Sequence, residues 1–189
     1  AALVEGGVDL IALETFRHTE EIELVIRAVR QAAPGIPLLA SMTFDATETV
    51  ADGSPPEKVA ELLRSFGVDL IGVNCGDGPQ LSLAMAERMR GAGLPLCVQP
   101  NAGLPRNVDG RLLYMATPEY FDVFARRMIQ LGAAMIGGCC GTTPDHIRWM
   151  ANSVRMLSGL AVEQTKVHVE PPPASAQALD PVPFAQRSK

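Results

Sequence analysis

Five short apolar runs recur along the chain about every 30 residues, and this repeat limits the possible folds more than any other feature. The runs are GVDLIALE (7–14), IPLLASM (36–42), GVDLIGVN (67–74), LPLCVQP (94–100) and GAAMIGG (132–138). They are apolar throughout rather than at alternate positions, which is typical of parallel strands that are buried on both faces. The repeat therefore predicts five parallel strands.

Amphipathic stretches separate the apolar runs and predict helices. These stretches cover residues 19–33, 55–66, 79–93 and 117–132. In the first of them, Ile22, Val25, Ile26 and Val29 form a single apolar stripe at helical spacing. Such a stripe indicates a helix that packs one face against the sheet.

Three helix starts carry recognisable capping signals. Ser54 and Glu57 fit a capping box, with Pro55 at the first helical position. The pairs Thr117-Pro118 and Thr143-Pro144 each place a capping threonine before a first-turn proline. The predicted order is therefore a strand followed by a helix, five times.

This strand–helix repeat fits two architectures, a (β/α)8 barrel and an open doubly wound sheet. Units of about 30 residues with no GxGxxG opening favour the barrel. Five units are too few to close a barrel, and the opening AALVEGG resembles the end of a helix. We therefore predict an α/β fold in which residues 1–158 are the C-terminal five βα units of a (β/α)8 TIM-type barrel.

Composition narrows the classes of function. The chain has 189 residues, of which 47% are hydrophobic and 20% charged, and its net charge is -5. The negative charge argues against a nucleic-acid partner. No apolar run approaches the roughly 18 residues of a membrane span, and no secretory signal opens the chain. Four cysteines do not make a disulfide scaffold in a chain of this length, so a cytoplasmic location is expected.

The last 31 residues differ from the rest of the chain. The periodicity stops near Gly159, and the closing stretch VEPPPASAQALDPVPFAQRSK contains five prolines and little apolar content. Proline-rich segments of this kind behave as extended linkers. Residues 159–189 are therefore predicted to be a disordered linker to a further module downstream.

Polar and sulfur-bearing residues follow the predicted strands. Barrel enzymes place their chemistry at the C-terminal ends of the strands. Three of the four cysteines lie at such ends, namely Cys75, Cys139 and Cys140. The fourth, Cys97, lies inside a strand and is predicted to be a small core residue.

Three converging thiolates are suitable ligands for Zn²⁺. Structural zinc sites usually have four protein ligands, often in CxxC pairs, and no CxxC occurs here. Three protein ligands leave one position for a substrate, which is the pattern of catalytic zinc. Gly137, Gly138 and Gly141 flank the double cysteine and allow the tight turn that two neighbouring ligands require.

Other interpretations of the same loop are open at this stage. The glycine-rich segment 137–144 also fits a phosphate cradle at a helix N-terminus. Alternatively, the two adjacent cysteines are small core residues or oxidise to a disulfide. The three histidines are poor ligand candidates. His146 is expected to be exposed in the first turn of a helix, His168 lies in the predicted linker, and His18 has no cysteine near it in sequence.

The motifs GVNCG, QPNAGLP and GGCCGTTPDHI resemble the homocysteine S-methyltransferase family. This family includes the zinc domain of cobalamin-dependent methionine synthase and that of the bifunctional homocysteine methyltransferase/methylenetetrahydrofolate reductase. The resemblance covers residues 6–157. The strings VDGRLLY and TPEYF are most similar to the bifunctional branch.

The resemblance implies a (β/α)8 barrel with zinc bound by Cys75, Cys139 and Cys140. It implies that Asn101 fills the fourth zinc position until homocysteine displaces it, and that Glu14 holds the substrate amino group. The betaine-using relatives carry tyrosine where this chain has Thr15, which weakens betaine as the donor.

The function that the resemblance implies is zinc-dependent transfer of a methyl group to L-homocysteine, giving methionine. The family's first strands contribute part of the substrate pocket, so the fragment is expected to lack turnover by itself. Methylcobalamin, a methylfolate and S-methylmethionine are the candidate donors. The alternatives are a phosphate-binding (β/α)8 barrel enzyme and a remnant without catalysis in which the cysteines only pack.

Overall fold

The computed structural model of the chain describes residues 2–158 and contains a five-stranded parallel sheet with the order β1-β2-β3-β4-β7. The strands are β1 (Ile11–Phe16), β2 (Leu38–Met42), β3 (Leu70–Cys75), β4 (Leu96–Pro100) and β7 (Met135–Ile136). Each strand falls within or overlaps one predicted apolar run, so the five predicted strands are confirmed. The predicted linker 159–189 lies outside the described residues.

Six helices accompany the strands in the described part of the chain. They are α1 (Ala2–Glu5), α2 (Thr19–Ala32), α3 (Pro56–Ser65), α4 (Pro79–Met89), α5 (Pro118–Leu131) and α6 (Pro144–Ser158). A short antiparallel hairpin, β5 (Arg106–Val108) and β6 (Arg111–Leu113), lies between β4 and α5 and was not predicted. No helix among residues 2–158 combines the length and the apolar character needed to cross a bilayer.

The two faces of the sheet differ in their contacts. Alternate residues of the strands, including Leu38, Ala40, Ile71 and Val73, join the helices in the main hydrophobic core. The predicted stripe of α2 packs into the same core, with Ile22 and Ile26 fully buried and Val25 and Val29 partly buried. A parallel sheet with helices packed along it is the arrangement of consecutive βα units of a (β/α)8 barrel, as predicted.

The opposite face of the sheet, here called the inward face, carries small and polar residues. Ser41 pairs in register with Gly72, and Gly72 pairs with Cys97. All three are buried, and Ser41 Oγ has no hydrogen-bond partner. The prediction that Cys97 is a small buried residue is confirmed, since its exposed fraction is 1%. Burial, with a smaller effect of the Glu14 carboxylate, raises the pKa of the Cys97 thiol to about 12.

The helix starts correct two expectations from the sequence. The predicted capping box is wrong: Pro55 is the N-cap of α3, and no side chain caps this helix. At α5 the prediction is confirmed, because Thr117 Oγ1 accepts a hydrogen bond from the Tyr120 N–H at 3.4 Å. The expectation that His146 is exposed is also wrong, since only 6% of it is accessible.

The contacts of His146 explain its burial. Its Nδ1 accepts from the Thr143 N–H at 3.1 Å, so the ring proton is on Nε2, which donates to the Ala116 carbonyl oxygen at 2.9 Å. The ring also stands edge-on to Phe121. The start of α6 is thereby bound to the segment that precedes α5.

Replacing Gly72 by alanine tests the packing of the inward face. A Cβ at this position would overlap Ser41 Oγ and lie 2.9 Å from the Cys97 carbonyl oxygen. We expect Gly72→Ala to lower the free energy of unfolding by about 1–3 kcal/mol, the usual cost of overpacking, as measured by urea denaturation. Gly35→Ala is the control, because a Cβ there meets no atom within 4 Å. Equal stability of the two variants would contradict the packing described here.

Candidate metal centre

Three thiols converge at the C-terminal edge of the sheet. Cys75 is the last residue of β3, and Cys139 and Cys140 lie in the loop that follows β7. Their sulfur atoms all lie within 4.8 Å of one another, and those of Cys139 and Cys140 are 4.0 Å apart. Within residues 2–158, no other group of three or more histidine, cysteine or acidic side chains is arranged to hold a metal ion.

Backbone contacts with the end of β4 hold the double cysteine in place. The Cys139 N–H donates to the Pro100 carbonyl oxygen at 2.8 Å, and the Cys140 N–H donates to Asn101 Oδ1 at 3.0 Å. Cys75 has a left-handed backbone with φ of 64°, which is uncommon for a residue other than glycine. Strained backbone of this kind concentrates at functional sites.

The glycines around the double cysteine have different roles. Only Gly141 has a positive φ, of 78°, and a Cβ there would overlap the ring of Tyr114. A Cβ at Gly137 would lie 3.1 Å from Gln99 Cγ, and one at Gly138 would clash with the Thr142 side chain. The loop is therefore glycine-rich mainly because other groups approach its backbone closely.

The separation of the sulfur atoms suits a metal ion. Tetrahedral zinc with Zn–S bonds near 2.3 Å requires sulfur atoms about 3.8 Å apart. The observed separations need only a small contraction to reach that value. A disulfide is a different case, because its sulfurs are bonded at about 2.05 Å, and all four cysteines are free.

The electrostatics of the thiol cluster also favour a bound metal ion. Burial, and then the neighbouring Cys75 and Cys140, raise the pKa of the Cys139 thiol to about 11. Without a cation the Cys139 thiol therefore stays protonated near neutral pH. Binding a metal ion requires thiolates, and a divalent cation would offset the repulsion among them.

The same loop is poorly suited to cradle phosphate. Such a cradle needs free backbone N–H groups, and five of the seven in residues 137–143 donate within the protein, namely those of Gly137, Cys139, Cys140, Thr142 and Thr143. The alternative of a phosphate-binding loop at 137–144 is therefore disfavoured.

A cavity of about 310 Å³ adjoins Cys75, one of the three thiols. Its lining also includes Asn101, Thr15, Thr43 and Arg17. The cavity therefore gives a small molecule access to the Cys75 side of the candidate metal centre.

Asn101 belongs to the same constellation. Its Nδ2 donates to the Gly76 carbonyl oxygen at 2.8 Å while its Oδ1 accepts from Cys140. The amide is largely buried and lies directly beside the thiols. Its oxygen has a second lone pair available for a further partner.

Glu14 is not part of the cavity lining. It lies on β1, its side chain is exposed, and its charge acts on Cys97 on the inward face. Its neighbour Thr15 does line the cavity. The structure thus brings the three cysteines and Asn101 together and leaves Glu14 one residue away from the cavity wall.

The sequence model of the homocysteine S-methyltransferase family matches residues 1–154. The chain belongs to the homocysteine S-methyltransferase family. Its relatives include a methionine synthase of Mycobacterium leprae, 32% identical over 98% of this chain and 16% of the relative. Another is the S-methylmethionine–homocysteine S-methyltransferase BHMT2 of Mus musculus, 33% identical over 86% of this chain and 49% of the relative.

Solved structures of this family agree with the fold. The homocysteine methyltransferase MmuM from Escherichia coli matches in its metallated form with a TM-score of 0.65 and 29% identity. The match covers 80% of this chain and 47% of that protein. This family member thus spans about half the length of BHMT2 and MmuM and a smaller share of the methionine synthase.

Two residues of the site were missed by sequence reasoning. Asn74 stands at a strand end and was assigned no role from the sequence, yet its amide contacts both Thr15 and Cys139. Tyr114 covers Gly141, and nothing in the local sequence indicated that contact. Both residues lie against groups of the candidate metal centre.

Serine replacements test the metal centre. The protein should bind one zinc ion per chain, and Cys75→Ser, Cys139→Ser and Cys140→Ser should each lose it, because a hydroxyl is a far weaker zinc ligand than a thiolate. Metal analysis after dialysis measures this. Cys97→Ser is the matched control, since its hydroxyl can keep the bond to Gln99 Oε1, and it should retain zinc. Full occupancy in Cys139→Ser would refute the ligand assignment.

Proposed function

We propose that the protein transfers a methyl group to the sulfur of L-homocysteine and forms methionine, with Zn²⁺ held by Cys75, Cys139 and Cys140. The observation that carries the proposal is the convergence of three free thiols at the strand ends of a homocysteine S-methyltransferase fold. When bound, zinc would lower the pKa of the substrate thiol and keep it in the reactive thiolate form.

The reaction makes one S–C bond and breaks one bond between the methyl carbon and its donor. The thiol proton leaves to solvent, and the electron pair of the broken bond stays with the donor. A thiol with pKa near 8.5 is ~3% ionised at pH 7, so full ionisation adds at most about thirtyfold to the thiolate. Positioning of the thiol against the donor must supply much of the remaining rate.

The protein's own side chains orient the amino acid. Glu14 is proposed to pair with the substrate ammonium, and its exposed carboxylate on the inward face is free to do so. Asn101 is proposed to occupy the fourth zinc position before substrate arrives, using the amide oxygen that now contacts Cys140. The cavity beside Cys75 is proposed to receive the substrate.

The proposed methyl donor is methylcobalamin, a methylfolate or S-methylmethionine. The relatives support this range, since they are named as methionine synthases and as S-methylmethionine–homocysteine methyltransferases. The reducing environment that four free thiols require supports a cytoplasmic location. Assays of methionine formation from homocysteine by the full-length protein, with each donor in turn, identify the donor, and no methionine with any of them would refute the proposed reaction.

Neutralising Glu14 tests its role. Glu14→Gln keeps the shape of the side chain and removes its charge, so homocysteine binding should weaken by about 1.5–3 kcal/mol, the range for a charged hydrogen bond. Zinc content should not change. Isothermal titration calorimetry with homocysteine gives the affinity, and Glu61→Gln on the exposed face of α3 is the matched control. If Glu14→Gln binds homocysteine as tightly as the parent, Glu14 does not hold the ammonium group.

A further inference from the structure

Asn74 is a fully buried amide at the end of β3, directly before the ligand Cys75. Its Oδ1 accepts from the Thr15 N–H at 2.8 Å, and its Nδ2 donates to Thr15 Oγ1 at 2.8 Å. Because a backbone N–H can only donate, the orientation of the amide is fixed. The Nδ2 also lies 3.9 Å from Cys139 Sγ. One side chain therefore contacts both β1 and a proposed metal ligand.

The segment of β1 that Asn74 holds is irregular. The pairing of β1 with β2 changes register between Leu13 and Phe16, and Thr15 has a positive φ of 67°. A β-branched residue rarely adopts this conformation unless the surroundings impose it. The two hydrogen bonds between Thr15 and Asn74 hold it here, and the bond that the Thr15 N–H donates to Asn74 Oδ1 satisfies a group that the β1–β2 ladder leaves free.

This irregular segment sets the position of Glu14, which precedes Thr15 in the chain. A bulge in a strand changes the direction of the neighbouring side chains. Asn74 thus connects the backbone next to Glu14 with the sulfur of Cys139. A second contact supports the connection, since Thr43 Oγ1 donates to the Asn74 carbonyl oxygen and the Thr43 N–H donates to the Phe16 carbonyl oxygen.

We propose that Asn74 is a positioning residue that fixes the spacing between Glu14 and the three thiols, and thereby selects the chain length of the amino-acid thiol. This inference rests on the proposed function, in which Glu14 binds the ammonium and the thiol sulfur meets the metal. Homocysteine and cysteine differ by one methylene between these two ends. A fixed spacing between Glu14 and the thiols favours an amino-acid thiol of one chain length. A more variable spacing discriminates less between homocysteine and cysteine.

The experiment measures binding of homocysteine and of cysteine to the zinc-loaded full-length protein by isothermal titration calorimetry, without a methyl donor. The parent should prefer homocysteine by roughly 10–200-fold, the range for one methylene. In Asn74→Ala the ratio of homocysteine affinity to cysteine affinity should fall by about tenfold. The reason is that the spacing between Glu14 and the thiols is no longer held at the length that suits homocysteine, while cysteine did not fit that spacing in the parent. Zinc content should remain at one ion per chain. Asn107→Ala is the control: it removes an amide that accepts a turn N–H in the exposed hairpin and should leave the ratio unchanged.

Thr15→Val is the second variant. It keeps the Thr15 N–H bond to Asn74 Oδ1 and removes only the bond from Nδ2, so the ratio should fall by about threefold. If Asn74→Ala does not fold, the affinity ratio of Thr15→Val tests the positioning role of Asn74 instead. An unchanged ratio in a folded, zinc-loaded Asn74→Ala protein, or in Thr15→Val where the alanine variant is unfolded, overturns the positioning role. A parent that binds neither thiol overturns the proposed function instead, and with it this inference.

Discussion

Three cysteine sulfurs lie within 4.8 Å of one another, and as thiolates they would repel one another strongly without a cation among them. Two unit charges 4 Å apart repel by about 4 kcal/mol at an effective dielectric constant of about 20. Burial, and then the neighbouring cysteines, raise the pKa of the Cys139 thiol. Much of the surrounding structure holds the three sulfur atoms close together, so the thiolates that a metal ion requires are already adjacent.

The parallel sheet makes this convergence possible. Cys75 ends β3, while Cys139 and Cys140 follow β7, and β4 lies between the two strands. The end of β4 supplies Pro100 and Asn101, which bind the backbone of the double cysteine. The segment after β4 adds Tyr114 against Gly141 and a bond from the Ala102 N–H to the Cys140 carbonyl oxygen. The site is thus a property of three neighbouring strand ends and not of the GGCCG loop alone.

The features predicted from the sequence were those with a local or periodic signal. Apolar runs located the five strands, and the rule that parallel strands end at one edge brought Cys75 together with Cys139 and Cys140. The β5–β6 hairpin had a signal that was not used, since Asp109-Gly110 at its turn is a strong hairpin dipeptide.

Contacts between distant segments could not be predicted in this way. His146 looked exposed because only its place in the first turn was considered, whereas Ala116 and Phe121 cover it from 30 and 25 residues away. The capping box at Ser54 failed because α3 begins one residue later than predicted, and the Ser54 N–H binds Asp52 instead. The role of Asn74 depends on Thr15, 59 residues earlier in the chain.

X-ray absorption at the zinc edge of the full-length protein tests the central claim most directly. We expect three sulfur neighbours at about 2.3 Å and one lighter oxygen or nitrogen neighbour at about 2.0–2.2 Å, with a fourth sulfur replacing the lighter atom when homocysteine is added. Fewer than three sulfur neighbours, or a spectrum that homocysteine does not change, would contradict the account.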